Sequence, residues 1–287
     1  MTESGRTLDA QVAVVTGAGS GIGQALAIQL AGRRAQLGLF DVDGEAIEET
    51  VRRCTGAGGE AHPVATDVSD WPAVARFADD VATRFGRVDL AFCAAGVIHT
   101  GDILNTDPAD YDHVLRTNVL GAFHTAKAFL PYLIASRGRL VFVSSAFGLM
   151  AAPNYSAYCA SKFAVRALAE SLRQELALAG HDVTVTCAYP GGVRTEIMRR
   201  GRFAAGVDRE SVIRGFDRLA RTSPEDAAAQ IIKGVERGKH RILIGQDARA
   251  VSAFIRVTGG AYPGLVVQAV RASRVLGRAS ARIRGGR

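Results

Sequence analysis

The sequence predicts a doubly wound α/β fold: a parallel sheet with helices on both faces. Three observations carry this. Short apolar runs alternate with longer segments of helical periodicity along most of the chain, the pattern of a sheet buried on both sides. A glycine-rich turn, Thr16-Gly17-Ala18-Gly19-Ser20-Gly21-Ile22-Gly23, follows the first apolar run. Gly17, Asp41, Asp67, Gly96, Ser145 and Pro190 all fall at or just beyond the ends of predicted strands, where open parallel sheets bind their ligands.

Taken in order, residues 11–16 read as the first strand and 21–33 as the helix behind it. A second strand covers 36–41, with a helix over 44–54; a third covers 61–67, with a helix over 71–85. The fourth strand is 88–93, and a long helix spans 108–136, with Pro131 as a kink near its end. The fifth strand, 140–145, leads to a helix over 157–179 and a sixth strand over 183–189. A helix over 225–237 and a strand over 241–245 complete the sheet. Parallel crossovers of this kind are right-handed. Residues 193–223 lack a strand pattern, are rich in Arg and Gly, and are too long for an ordinary connection. They read as a substrate lid with short helices. Residues 1–245 thus form one catalytic domain, and 246–287 a basic C-terminal extension.

Composition narrows the function classes. The net charge of +7 is confined to the end: residues 246–287 hold eight arginines, no lysine and one acid, Asp247. The catalytic domain keeps 27 of the 35 basic and 27 of the 28 acidic residues and is neutral, so nucleic acid is not an expected partner. Neither Cys54, Cys93, Cys159 and Cys187 nor His62, His99, His113, His124, His181 and His240 show a metal-ligand spacing, and no metal is expected. Ser144-Ser145 is not set in the Gly-x-Ser-x-Gly elbow of a Ser–His hydrolase. No secretory leader opens the chain, and no uncharged apolar run reaches the ~20 residues of a membrane helix. A soluble, cytoplasmic protein is expected.

The chemistry is concentrated in Tyr158-Cys159-Ala160-Ser161-Lys162. Helical i, i+4 spacing puts Tyr158 and Lys162 on one face. A free phenol titrates near ~10, and an adjacent ammonium lowers that value, which makes a proton carrier. The glycine turn supplies a partner for it. Its spacing, Gly17-x-x-x-Gly21-x-Gly23, departs from the commonest dinucleotide fingerprint. Its physics is the same: the backbone of Ser20, Gly21, Ile22 and Gly23 approaches a pyrophosphate at a helix N-terminus. Asp41, closing the second strand, suits ribose hydroxyls and repels a 2′-phosphate. Ser20 brings no cation for such a phosphate, so NAD is expected over NADP. Asp67-Val68 either touches adenine or belongs, with Ser69, to a helix cap ahead of Trp71.

These motifs together resemble the short-chain dehydrogenase/reductase family, over residues 11 to about 245. The resemblance rests on the Thr16–Gly23 turn, Asp67, Thr117-Asn118-Val119, Ser144-Ser145, Tyr158-x-x-x-Lys162 and Pro190-Gly191-Gly192-Val193-Arg194-Thr195. It implies a Rossmann-like fold and hydride exchange between nicotinamide and an alcohol or carbonyl carbon. It implies Tyr158 as acid/base, Ser145 as the group positioning the substrate oxygen, and Lys162 on the nicotinamide ribose. Asn118 would keep a water in the proton relay. Asp67 and Val68 would cradle adenine; Pro190, Gly191, Val193 and Thr195, with Gly96, would lie along the cofactor, Thr195 reaching the carboxamide. The family also implies a homodimer or homotetramer built on the long helices. One motif departs: Cys93-Ala94-Ala95-Gly96 stands where the family shows Asn-Asn-Ala-Gly.

Val97, Ile98, Phe147, Pro153, Tyr155, Gly192, Ile197, Met198 and Phe203 are the expected substrate walls, mostly apolar. They suit a hydrophobic secondary alcohol, ketone, aldehyde or steroid-like small molecule. Arg194, Arg199, Arg200 and Arg202 are either solvated lid charges or contacts for an anionic substrate. In the extension, residues 262–284 read as a helix with Arg271, Arg274, Arg278 and Arg282 on one face and Leu265, Ala269, Leu276 and Ile283 roughly opposite. That segment packs on the protein, ends as a solvated basic tail, or lies on a membrane surface. The alternative function is a non-catalytic NAD-binding regulator or scaffold, since fold alone does not prove activity.

Overall fold

Parallel pairing runs through the whole of the main sheet. The computed structural model describes residues 7–272. Its first half contains β1 (Val12–Thr16), α1 (Gly21–Ala31), β2 (Gln36–Asp41), α2 (Gly44–Gly56), β3 (Glu60–Ala65), α3 (Trp71–Phe85) and β4 (Leu90–Cys93). A short β5 (His99–Thr100) precedes α4 (Pro108–Leu115) and α5 (Gly121–Ser136). Then come β6 (Arg139–Val143), α6 (Ser156–Leu178), β7 (Thr184–Pro190), α7 (Ile197–Arg200), β8 (Arg202–Phe203), α8 (Arg209–Leu219), α9 (Pro224–Glu236), β9 (Arg241–Ile244) and α10 (Gly245–Thr258). The seven-stranded sheet has the order β3-β2-β1-β4-β6-β7-β9, every pair parallel. The strand order reverses between β1 and β4, and there the carboxyl ends open a crevice.

Apolar residues of the central strands leave on alternate faces into two separate cores. Ala13, Val15, Leu37, Leu39, Leu90 and Phe92 pack with α1 and α9 on one side. Val12, Val14, Phe40, Ala91, Leu140 and Phe142 pack with α3, α5 and α6 on the other. Caps fix where the helices begin. Asp43 accepts from Ala46 N at the start of α2, Asp70 from Ala73 N at the start of α3, and Ser223 from Asp226 N at the start of α9. The cap ahead of Trp71 is therefore Asp70, and neither Asp67 nor Ser69 fills that place.

Three expectations need amendment. The helix expected over 108–136 is broken in hydrogen-bond pattern by a π-turn at Arg116–Leu120, which holds Asn118. The lid over 193–223 holds a strand after all: β8 pairs with β5 in parallel, His99 with Arg202 and Thr100 with Phe203. Two residues are too short a run to show strand alternation. The helix expected from 262 does start there and covers 262–272, joined to α10 through the 3-10 turn Gly259–Ala261 as one helical run; its expected continuation over 273–284 lies outside the described residues. That 28-residue helix, Gly245–Ala272, is long and apolar enough to cross a membrane. A search for uncharged runs misses it because Arg256 divides it.

Candidate active site

The cofactor side is built chiefly from backbone. Gly17 has φ +68°, and a Cβ there would lie 2.7 Å from Ala95 Cα. A Cβ on Gly23 would lie 2.1 Å from the Gly17 carbonyl oxygen. Glycine thus brings the β1–α1 turn against both the loop after β4 and the first turn of α1. Ser20 takes the cap position of α1 with extended backbone but makes no side-chain cap, and no acid stands in the first turn. The orphan N–H groups around Ser20, Gly21, Ile22 and Gly23 are thus left for an anion. Asp41 accepts from Gly19 N at 2.8 Å and from Asp43 N at 3.0 Å, so its carboxylate sits against the glycine turn. Asp67 is exposed and accepts from Ser69 N at 2.8 Å. Val68 is buried against Gly121, and its carbonyl faces His124 Nδ1 at 3.1 Å. This feature set fits a dinucleotide: an uncapped helix N-terminus, a glycine cradle and a carboxylate at the end of β2.

The expected catalytic residues converge beyond β4 and β6. Tyr158 and Lys162 are both buried on α6. Ser145 Oγ accepts from Phe147 N at 3.1 Å, which leaves its proton to donate to the Tyr158 oxygen. Lys162 Nζ donates to the Val143 carbonyl at 3.0 Å and lies 5.6 Å from the Tyr158 ring centre. The Ser144 hydroxyl donates to the Lys162 carbonyl at 2.8 Å, tying β6 to α6. Asn118 Oδ1 accepts from Val97 N at 2.8 Å, while Nδ2 donates to Val97 O and Ser161 Oγ, each at 2.9 Å. Its amide therefore clamps the loop after β4 to α6. Gly96 lies between the groups: a Cβ there would be 3.2 Å from Lys162 Nζ and 3.3 Å from Asn118 Oδ1.

Electrostatics here differ from the expectation that lysine lowers the tyrosine. Burial pushes the Tyr158 phenol up to about 12, and the Ser145 hydrogen bond draws it back only in part. Burial also lowers Lys162 to about 8, with Cys187 opposing. Desolvation disfavours the charged form of each group, and it outweighs their mutual influence at this separation.

A small apolar cluster stands apart from the two cores. Ile98, Tyr158 and Met198 are buried in it, with Phe147, Tyr155, Ile197, Val212, Ile213 and Phe216 packed around them. Phe147 meets Tyr155 at 5.3 Å and the edge of Tyr158 at 6.2 Å between ring centres. The four lid arginines singled out in the sequence all have partners within the chain. Arg199 meets Asp217 at 2.6 Å, Arg200 meets Asp43 at 3.4 Å, Arg202 meets Asp110 at 2.9 Å, and Arg194 donates to Arg221 O at 2.7 Å. They read as lid fasteners. The Arg200–Asp43 pair joins α7 to the start of α2. A cavity of about 460 Å³, lined by Gln11, Arg87, Asp89 and Arg139, lies at the opposite, amino ends of the strands, away from all these groups.

Three contributions went unread in the sequence. Thr16 Oγ1 accepts from Ala94 N at 3.2 Å and Ala95 N at 3.4 Å and donates to Phe92 O at 3.3 Å. It holds the loop in which Cys93-Ala94 replaces the family's asparagines. Val212, Ile213 and Phe216 of α8 complete the apolar cluster; their helical spacing was the available signal. Asp247 of α10 accepts from Gly192 N at 2.5 Å and fills the space where a Gly191 Cβ would be. Its one sequence signal was being the only acid of the extension. Thr195 lies against Gly21, where a Cβ would be 2.9 Å from Thr195 Cγ2, so the Pro190–Thr195 loop meets the glycine turn across the crevice.

Comparison with known proteins agrees with this geometry. Residues 11–204 match the short chain dehydrogenase family. SadH of Mycobacterium tuberculosis, a protein given an oxidoreductase name, is 42% identical over 92% of this chain and 96% of its own length. Estradiol 17-beta-dehydrogenase 11 of Mus musculus is 29% identical over 88% of this chain and 81% of its own. The crystal structure of a short chain dehydrogenase/reductase from Burkholderia phymatum in complex with NAD superposes with a TM-score of 0.82, at 30% identity, covering 88% of this chain and 95% of that one. The chain belongs to the short-chain dehydrogenase/reductase family, a family of oxidoreductases, and a nicotinamide cofactor is the group its neighbours support.

Proposed function

We propose that the protein is an NAD-dependent oxidoreductase that interconverts an apolar secondary alcohol and its ketone, with Tyr158 as the acid/base. The observation that carries the reading is the Ser145–Tyr158–Lys162–Asn118 group placed between a dinucleotide cradle and an apolar cluster. A nicotinamide bound in the crevice supplies or accepts the hydride; the chain does the rest. Ser145 and Tyr158 hold the substrate oxygen. Lys162 binds the ribose hydroxyls, and Asn118 keeps the relay side of the pocket in place. With its phenol raised by burial, Tyr158 carries a proton at neutral pH that it can give to a carbonyl oxygen in reduction. Oxidation needs the phenolate, so its rate rises with pH.

Asp41 favours NAD, because a 2′-phosphate would meet a carboxylate. The apolar cluster and the paired lid arginines favour an uncharged hydrophobic substrate over an anionic one, in keeping with the name of the estradiol dehydrogenase relative. A homodimer or homotetramer completes the reading, with Leu120 and Phe123 beside or on α5 and Phe163 on α6 exposed for it. The test is Tyr158→Phe. Turnover falls by about 10²–10⁴-fold, while NAD binding by calorimetry is retained. Undiminished turnover in that variant contradicts the mechanism.

A further inference from the structure

The extension presents a surface with an unusual pairing of properties. No part of the most apolar stretch of the helix Gly245–Ala272 is buried. Val251 and Ile255 turn toward the core, whereas Val257, Leu265 and Val267 are exposed, Val257 at 86%. Exposed Arg249, Arg256 and Arg271 accompany these aliphatic side chains, and Arg274, Arg278, Arg282, Arg284 and Arg287 follow in the sequence without a single acid. The extension's one carboxylate, Asp247, is turned inward onto Gly192 N and Ala248 N. Nothing on this stretch offsets its positive charge.

We propose that this helix docks the protein on an anionic lipid bilayer, lying along its surface with the aliphatic side chains in the interface and the arginines on the headgroups. Three features favour this occupant and pose. Two copies of the chain pairing through this face by a twofold axis would set arginine against arginine. The 3-10 turn at Gly259–Ala261 and the proline at 263 interrupt the helix midway, and Arg256 lies within it, which suits a helix on the surface better than one across the bilayer. The site also lies beside the cleft: Ala151 N, in the loop between Ser145 and Tyr155, donates to the Tyr262 hydroxyl at 3.3 Å. An apolar substrate dissolved in lipid would then reach the cleft directly, a clause that rests on the proposed function.

The test mixes the full-length protein with vesicles of phosphatidylcholine alone or with added phosphatidylglycerol, followed by sedimentation. Binding at least about tenfold stronger to the anionic vesicles is expected, falling as salt is raised. A Leu265→Glu/Val267→Glu variant loses about tenfold or more in vesicle binding, with turnover of a short water-soluble alcohol unchanged. That turnover is measured without vesicles, so failure of the oxidoreductase reading is scored separately from failure of docking. Equal binding to neutral and anionic vesicles, or none, overturns the proposal. So does a variant that binds vesicles normally but alters the oligomeric state by light scattering, which would make this face a contact between subunits.

Discussion

The two sides of the crevice are built by different means. The cofactor side rests on β1, β2 and the turn between β1 and α1, where contacts are close and made largely by backbone: Gly17 on Ala95, Gly23 on Gly17, Gly19 N on Asp41. The substrate side draws Ile98, Phe147, Tyr158, Met198 and Phe216 from five separate stretches of chain and holds them by side-chain packing. Backbone approach demands glycine, and glycine is visible in a sequence. Packing demands only apolar bulk, which many residues provide. The first side is therefore closely specified by its backbone, while the second constrains its residues only to be apolar.

Removing the charge that serves both sides gives the largest expected effect. Lys162→Met should lower kcat by about 10²–10⁴-fold and also raise the KM for NAD, since the proposed function assigns one ammonium to both Tyr158 and the ribose. A fall in kcat alone would detach it from the cofactor side. Asp41→Asn comes next. Losing the carboxylate should shift the NAD-to-NADP preference by about 10–100-fold toward NADP, with the ranking of substrates unchanged; steady-state rates with both cofactors read this directly. Phe147→Ala is the mirror experiment. It should raise substrate KM by about tenfold, within what a hydrophobic pocket contact is worth, and leave the NAD dissociation constant where it was. A weakened NAD affinity would show that the two sides are not separable. Asp247→Asn should have the smallest effect. Exchanging a charged acceptor for a neutral one at Gly192 N costs about 1 kcal/mol, read as a roughly fivefold rise in KM for NAD. An unchanged KM would mean that the extension does not steady this loop.

The same contrast explains what the sequence disclosed. The strand ends, the glycine turn, Asp41 and the i, i+4 pair Tyr158–Lys162 were all legible, because each follows from periodicity or local backbone demand. Strand bounds moved by a residue or two, as at β3 and β4, where edges depend on partners. The π-turn at Asn118 was not legible, since its residues have ordinary helical propensity and only the clamp to Val97 and Ser161 explains the shift. Nor was β8, which exists through pairing with β5 alone. The tyrosine's raised phenol was missed for another reason. Spacing places an ammonium nearby, but burial is a tertiary property, and here it dominates. Thr16 and Asp247 bond groups 76 and 55 residues away, distances at which a lone hydroxyl or carboxylate carries no sequence signal.

One measurement tests the central claim most directly: NADH formation by the purified full-length protein with a series of secondary alcohols of increasing apolar size, run in parallel with NAD and NADP. The account predicts turnover with NAD well above that with NADP, and kcat/KM rising as the alcohol becomes larger and more apolar. Equal use of the two cofactors would contradict the role of Asp41. Preference for small or charged alcohols would contradict the role given to the apolar cluster.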